Sequence, residues 1–125
     1  MFTRRLTLYL VVYKNSMKVK NLENGIVASG NSELAYSSSR LLIADPIIAE
    51  SFAKVLLKQV YSSIEQRTRT VRIVCHPFDK DLSELSPAEK MIFTDFVNNI
   101  GGHEIILANS DKEMTDEELA IKNYT

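Results

Sequence analysis

The chain has 125 residues, 45% of them hydrophobic, with 15 Lys and Arg against 16 Asp and Glu. That length holds one domain with one core. A net charge of −1 supplies no concentrated basic surface, which argues against a nucleic-acid-binding module. The charge is unevenly spread: residues 1–22 carry five Lys or Arg and no acid, whereas residues 111–118 carry five acids and one lysine. These read as two solvated ends. Cys75 is the single cysteine, so no internal disulfide can form. Arg4-Arg5 and the short apolar run after them imitate a signal peptide, but Lys14-Asn15-Ser16 follows without a small-residue cleavage site. No stretch approaches the ~20 apolar residues of a membrane span. The expectation is a cytoplasmic protein without a membrane span.

Leu6–Tyr13 is β-rich and mostly apolar, as in a strand buried on both faces. It contains no carboxylate and no glycine; the first acid of the chain is Glu23. After a turn at Lys14-Asn15-Ser16, Met17-Lys-Val-Lys20 alternates apolar and polar and predicts a half-exposed hairpin strand. Asn24-Gly25 marks a second turn, and Ile26 to about Ala28 extends that pairing. Residues 29–39 are rich in Ser and Asn, and a third strand is placed around Leu34–Ile43. Asp45-Pro46 opens a helix, with aspartate as cap and proline in the first turn. Ile48, Phe52, Val55, Leu56, Gln59 and Val60 follow at helical spacing, with Glu50, Lys54 and Lys58 opposite.

Thr70–Cys75 predicts the next strand, ended by His76-Pro77. Ser86-Pro-Ala-Glu89 is a capping box. The helix it opens has Ala88, Ile92, Phe96, Val97 and Ile100 as its apolar stripe, and Gly101-Gly102 stops it. Glu104–Ala108 is the last strand, and Thr115-Asp-Glu-Glu118 caps a short acidic helix ending near Tyr124, within an acidic C-terminal helix or tail over 109–125. No repeat or linker divides residues 1–125. The expected fold is α/β, in the order β-β-β-α-β-α-β-α. A strand–helix–strand–helix–strand half needs right-handed crossovers. With an antiparallel opening hairpin, the simplest mixed sheet has five strands ordered 3-2-1-4-5 and helices on its faces.

That order is the one found in ribonuclease-H-like and actin-like domains, and three stretches carry a closer resemblance. Ile43-Ala-Asp-Pro-Ile-Ile-Ala-Glu50, Ser86-Pro-Ala-Glu-Lys90 and Gly101-Gly-His-Glu-Ile-Ile-Leu107 resemble helix starts and a strand entry of the bacterial actin homologue MreB. Gly25-Ile26-Val27 and Val74-Cys75-His76-Pro77 sit at comparable positions. The resemblance runs over about residues 5–108 and covers only the first actin-like subdomain. It implies an actin-like fold and a relation to filament or cell-shape machinery. The family's first hairpin carries Asp-Leu-Gly-Thr beside the nucleotide phosphates, and those positions fall on Tyr9, Leu10, Val11 and Val12. Valine supplies neither glycine's positive φ nor its close backbone approach to phosphate. ATP hydrolysis is therefore not expected.

Other candidate chemistry has simpler readings. Glu89 falls where the family places a water-orienting glutamate, and it also reads as the capping-box partner of Ser86. A ribonuclease-H-type metal site needs clustered carboxylates with one on the first strand; only Asp45, Glu50, Asp79, Asp81 and Glu84 are available. Cys75 and His76 are adjacent, so on a strand they point to opposite faces, a poor nucleophile–base pair. Cys75 reads as a buried small hydrophobe, and His76 and His103 as surface or cap residues near strand ends. Ser37-Ser-Ser-Arg40 lacks a glycine-rich loop feeding a helix, so it reads as loop rather than anion site. Phe52, Phe93 and Phe96 read as core. No catalytic, cofactor-binding or metal residue is assigned, and no cofactor is expected. The reading is a non-enzymatic domain that contacts a protein partner or forms a homodimer, through the exposed sheet edge or the first helix. The alternative is a ribonuclease-H-like nuclease or nucleotide-binding domain.

Overall fold

The computed structural model describes residues 5–38, 41–78, 86–108 and 114–115. The elements are β1 (Arg5–Tyr13), β2 (Ser16–Asn21), β3 (Val27–Asn31), α1 (Pro46–Val60), α2 (Ser63–Thr68), β4 (Thr70–Pro77), α3 (Pro87–Asn99) and β5 (Glu104–Leu107). One sheet runs in the order β3-β2-β1-β4-β5, as the sequence predicts. The β1–β2 and β2–β3 pairs are antiparallel, and β1–β4 and β4–β5 are parallel.

β1 lies at the centre. Leu6, Leu8, Leu10 and Val12 point to one face, and Tyr9 and Val11 to the other; none is more than 3% exposed. The first set joins Ala49, Ala53, Leu56, Leu57 and Val60 of α1 and Phe93, Phe96 and Val97 of α3 in the main core. Helices were expected on the faces of the sheet. The two long described helices, α1 and α3, share one face, because the crossovers β3–α1–β4 and β4–α3–β5 travel across the sheet in the same direction. Two right-handed crossovers of that kind must stack on one side. On the other face a smaller cluster joins Tyr9, Val11, Val74 and Ala108 to Tyr13, Leu22, Phe78, Ile106 and Met114. The expected final helix lies outside the described residues.

Both predicted helix starts are present. The Ile48 amide donates to Asp45 Oδ1 at 3.2 Å. Ser86 and Glu89 bond reciprocally at 3.1 and 3.2 Å. At the end of α3, Gly101 has φ +106°, and a Cβ on Gly102 would stand 2.5 Å from Val97. The Gly-Gly stop thus provides both a left-handed turn and room for α3 to return onto the sheet. The short helix α2 was not anticipated, although Ser62-Ser-Ile-Glu65 is a second capping box.

The third strand is displaced from its expected place. It is Val27–Asn31, directly after the Asn24-Gly25 turn, rather than Leu34–Ile43. Part of that later stretch bonds its backbone to side chains. The amides of Tyr36 and Ser37 both donate to Asn15 Oδ1 at 2.9 Å. The Asn15 amide in turn donates to Ser37 Oγ at 3.1 Å. Asn15 holds φ +54°, a left-handed conformation that asparagine tolerates better than most residues. The Tyr36 side chain is fully buried, and its hydroxyl lies 2.6 Å from the carbonyls of both Tyr13 and Ser16. Burial pushes its ionisation well above the ordinary tyrosine range. Residues 32–38 are therefore clamped onto the β1–β2 turn.

Candidate interaction surface at the sheet edge

β3 forms one edge of the sheet and, among the described residues, pairs only with β2. The Asn21 amide donates to Ile26 O, and the Ser32 amide to Asn15 O, at the two ends of this pairing. Antiparallel ladders alternate bonded and outward residues. Ala28 and Gly30 therefore spend their backbone groups on β2, and Val27, Ser29 and Asn31 aim theirs away from the sheet. No charge or proline interrupts Val27–Asn31, although such residues usually defend an exposed edge.

α1 packs over both β3 and β2. The Phe52 ring sits over Gly30, 3.8 Å from where a Cβ would be, and stacks on Tyr36 with centroids 6.4 Å apart. Between edge and helix runs a groove of about 600 Å³, lined by residues 31–34 and by Ile47, Ile48, Ser51, Phe52 and Val55. Val55 was expected on the buried stripe but is 57% exposed. The core-facing stripe is Ala49, Ala53, Leu56, Leu57 and Val60, which turns Val55 toward the β3 flank. Phe52, read as core, is only half-buried and forms part of the groove. Of the seven large apolar side chains exposed among the described residues, Leu34, Ile47 and Val55 line this groove, and Ile26 and Val27 lie at the start of β3, Val27 on the sheet face opposite α1. Clustering of that kind marks an interaction surface, whereas isolated exposed apolar residues do not.

The other candidates disperse. Tyr9, Leu10, Val11 and Val12 are all buried within β1 as part of the packed core. Asp45 and Glu89 are helix caps. Glu50 accepts from Asn99 at 2.9 Å instead of serving a site with Asp45. Asp79, Asp81, Glu84, Ser39 and Arg40 lie outside the described residues. Ser37 Oγ donates to Leu42 O, and Ser38 Oγ accepts from the Leu41 amide, so both cap the loop. No group of three metal-ligating side chains occurs among the described residues. Cys75 is fully buried and its thiol is pushed up to about 12 by desolvation. His103 Nδ1 accepts from the Val71 amide at 2.9 Å, a capping role as expected.

His76 was read as a surface or cap residue and is instead fully buried. Its Nδ1 lies 2.7 Å from the Tyr9 hydroxyl, which also accepts from the Met114 amide at 2.9 Å. This polar pair sits on the face opposite the main core, within the cluster around Val11. Only the β1–β4 register, which sets Val11 beside His76, brings these residues together, and no local sequence signal encodes that register.

No protein-family model matches the chain, and no curated protein matches it. Among solved structures, the chain is similar to the crystal structure of MreB5 of Spiroplasma citri bound to ADP. The TM-score is 0.56 at 9% sequence identity, covering 84% of this chain and 38% of that one. At this identity the likeness shows the fold alone: an actin-like domain spanning well under half the length of the structure it matches.

Proposed function

We propose that the chain is a non-enzymatic, actin-like domain acting through protein–protein contact, within filament or cell-shape machinery. One observation carries the reading. Where an actin-like domain would bring its first strand to a phosphate, Tyr9, Val11 and Val12 are 3%, 0% and 0% exposed. Recognition then falls to the rim of the sheet, where exposed apolar residues lie near the outer edge of β3, which no described residue pairs. The cell-shape setting rests on the MreB likeness, which is a likeness of fold. Calorimetric titration with Mg-ATP tests the reading: the expected result is no heat beyond dilution, and micromolar binding at one site would sink it.

A further inference from the structure

The geometry points to a second copy of this chain as the occupant of the β3 edge. This inference rests on the contact reading above and names its partner. Val27, Ser29 and Asn31 are three outward residues centred on Ser29. An antiparallel β3–β3 pair about a two-fold axis at Ser29 sets Ser29 against itself and Val27 against Asn31 of the other copy. About six backbone hydrogen bonds would form, and the two sheets would join into one of ten strands.

The helices fit the same axis. It runs perpendicular to the sheet, so both copies of α1 fall on one face, antiparallel to each other. Because α1 packs over both β2 and β3, it stands about one strand spacing, ~5 Å, from the axis. The two helices are then ~10 Å apart, within the usual range for packed helices. Phe52 over Gly30 sets the middle of α1 level with the middle of β3. Ile47, Ser51 and Val55 recur every four residues on the exposed flank. Centred on Ser51, that stripe is self-complementary, with Ile47 of one copy meeting Val55 of the other. Lys58, in the last turn of one helix, comes to the end of its mate that carries Asp45, so charges and helix dipoles oppose favourably. Ile47 and Val55 of both copies are buried between the two helices, and Val27 packs beside Asn31 of the other copy on the opposite face of the sheet. A standard interface takes about 800 Å² from each partner, roughly a tenth of this chain's 7569 Å².

Sedimentation velocity of the full chain between ~1 and ~300 µM tests the proposal. The expected result is a species of twice the 14.2 kDa chain mass. Ser29→Pro removes the central amide at an edge position where proline is tolerated. Val55→Glu places a charge against Ile47 of the other copy. Each is expected to weaken the dimer at least ~10-fold, with thermal melts confirming that the variant folds. Ile47→Lys is expected to dissociate alone and, mixed with Val55→Glu, to restore a heterodimer, because the two positions face each other. Met91→Glu, on exposed α3, leaves the dimer intact. A wild-type chain monomeric throughout the range would give this surface to a different protein and overturn the proposal. So would a dimer indifferent to Val55→Glu. Both results leave the contact reading standing, whereas nucleotide binding would remove that reading without touching the dimer.

Discussion

Asn15 is the residue on which one wall of the groove depends, and its replacement separates two physical effects. Its Oδ1 accepts from the amides of Tyr36 and Ser37 at 2.9 Å each, and its backbone sits at φ +54°. Asn15→Ala deprives both amides of their acceptor. The Tyr36 amide belongs to a fully buried residue, and an unsatisfied buried donor costs ~1–3 kcal/mol. Ser37 is half-buried, so its amide loses a net hydrogen bond of ~0.5–1.5 kcal/mol. Alanine in the left-handed region adds about 1 kcal/mol. The expected loss is therefore about 3–5 kcal/mol, a large share of a small domain's stability. Asn15→Gly keeps the left-handed backbone and loses only the acceptor, so it is expected to cost about 1 kcal/mol less than Asn15→Ala. Urea unfolding followed by circular dichroism measures both, at two protein concentrations because the proposed dimer would make stability concentration-dependent. If Asn15→Ala costs under about 1 kcal/mol, the amides find other acceptors and the loop is not held through Asn15.

Two more outcomes follow from the caps and the buried thiol. Glu89→Ala breaks the reciprocal bond to Ser86 and is expected to lower stability by about 1 kcal/mol; a cellular phenotype without a melting shift would make Glu89 a functional residue. Cys75, with its thiol pushed up to about 12, is expected to resist Ellman's reagent at pH 8 until urea unfolds the chain. Its neutral form favours the folded state, so its contribution is complete below the ordinary thiol pKa of about 9 and is lost as pH rises toward 12. Rapid stoichiometric labelling of the native protein would contradict that burial.

The parts of the fold readable from sequence are those with local causes. Asp45-Pro46 and Ser86-Pro-Ala-Glu89 fix helix starts within four residues, and the apolar run of β1 declares a strand shielded on both faces. Sheet order followed from a hairpin and two right-handed crossovers. Where the cause lies far along the chain, the reading failed. β3 was misplaced because Asn15, some twenty residues upstream, holds residues 36 and 37 out of any ladder. His76 was misplaced because its partner, Tyr9, sits on a different strand. The groove was hidden because the rotation of α1 is decided by what the sheet offers it, and a stripe that included Val55 fitted the periodicity equally well. The sheet edge and first helix were named as contact surfaces, but not that they form one.

The two edge strands of the sheet carry different chemistry, and the difference bears on which of them meets a partner. On β5, Glu104 receives Arg5 and Arg72 at 2.8 and 3.4 Å. The Arg5 guanidinium first, and Arg72 second, hold its carboxyl below the ordinary range. A strand docking there would have to accommodate a charged cluster. β3 has five uncharged residues, three outward backbone positions and an apolar helix flank beside it. Its nearest described acid beyond the strand end is Glu33, at the groove wall. Strand addition gains most where backbone groups are unpaired and least where charges must be desolvated. The same chain thus bears a defended strand at one end of its sheet and an undefended one at the other. An undefended edge of this composition risks open-ended aggregation. A two-fold contact that consumes the whole edge of both copies closes after two chains. Under the proposed pairing, that closure would leave neither copy's β3 edge open to further chains.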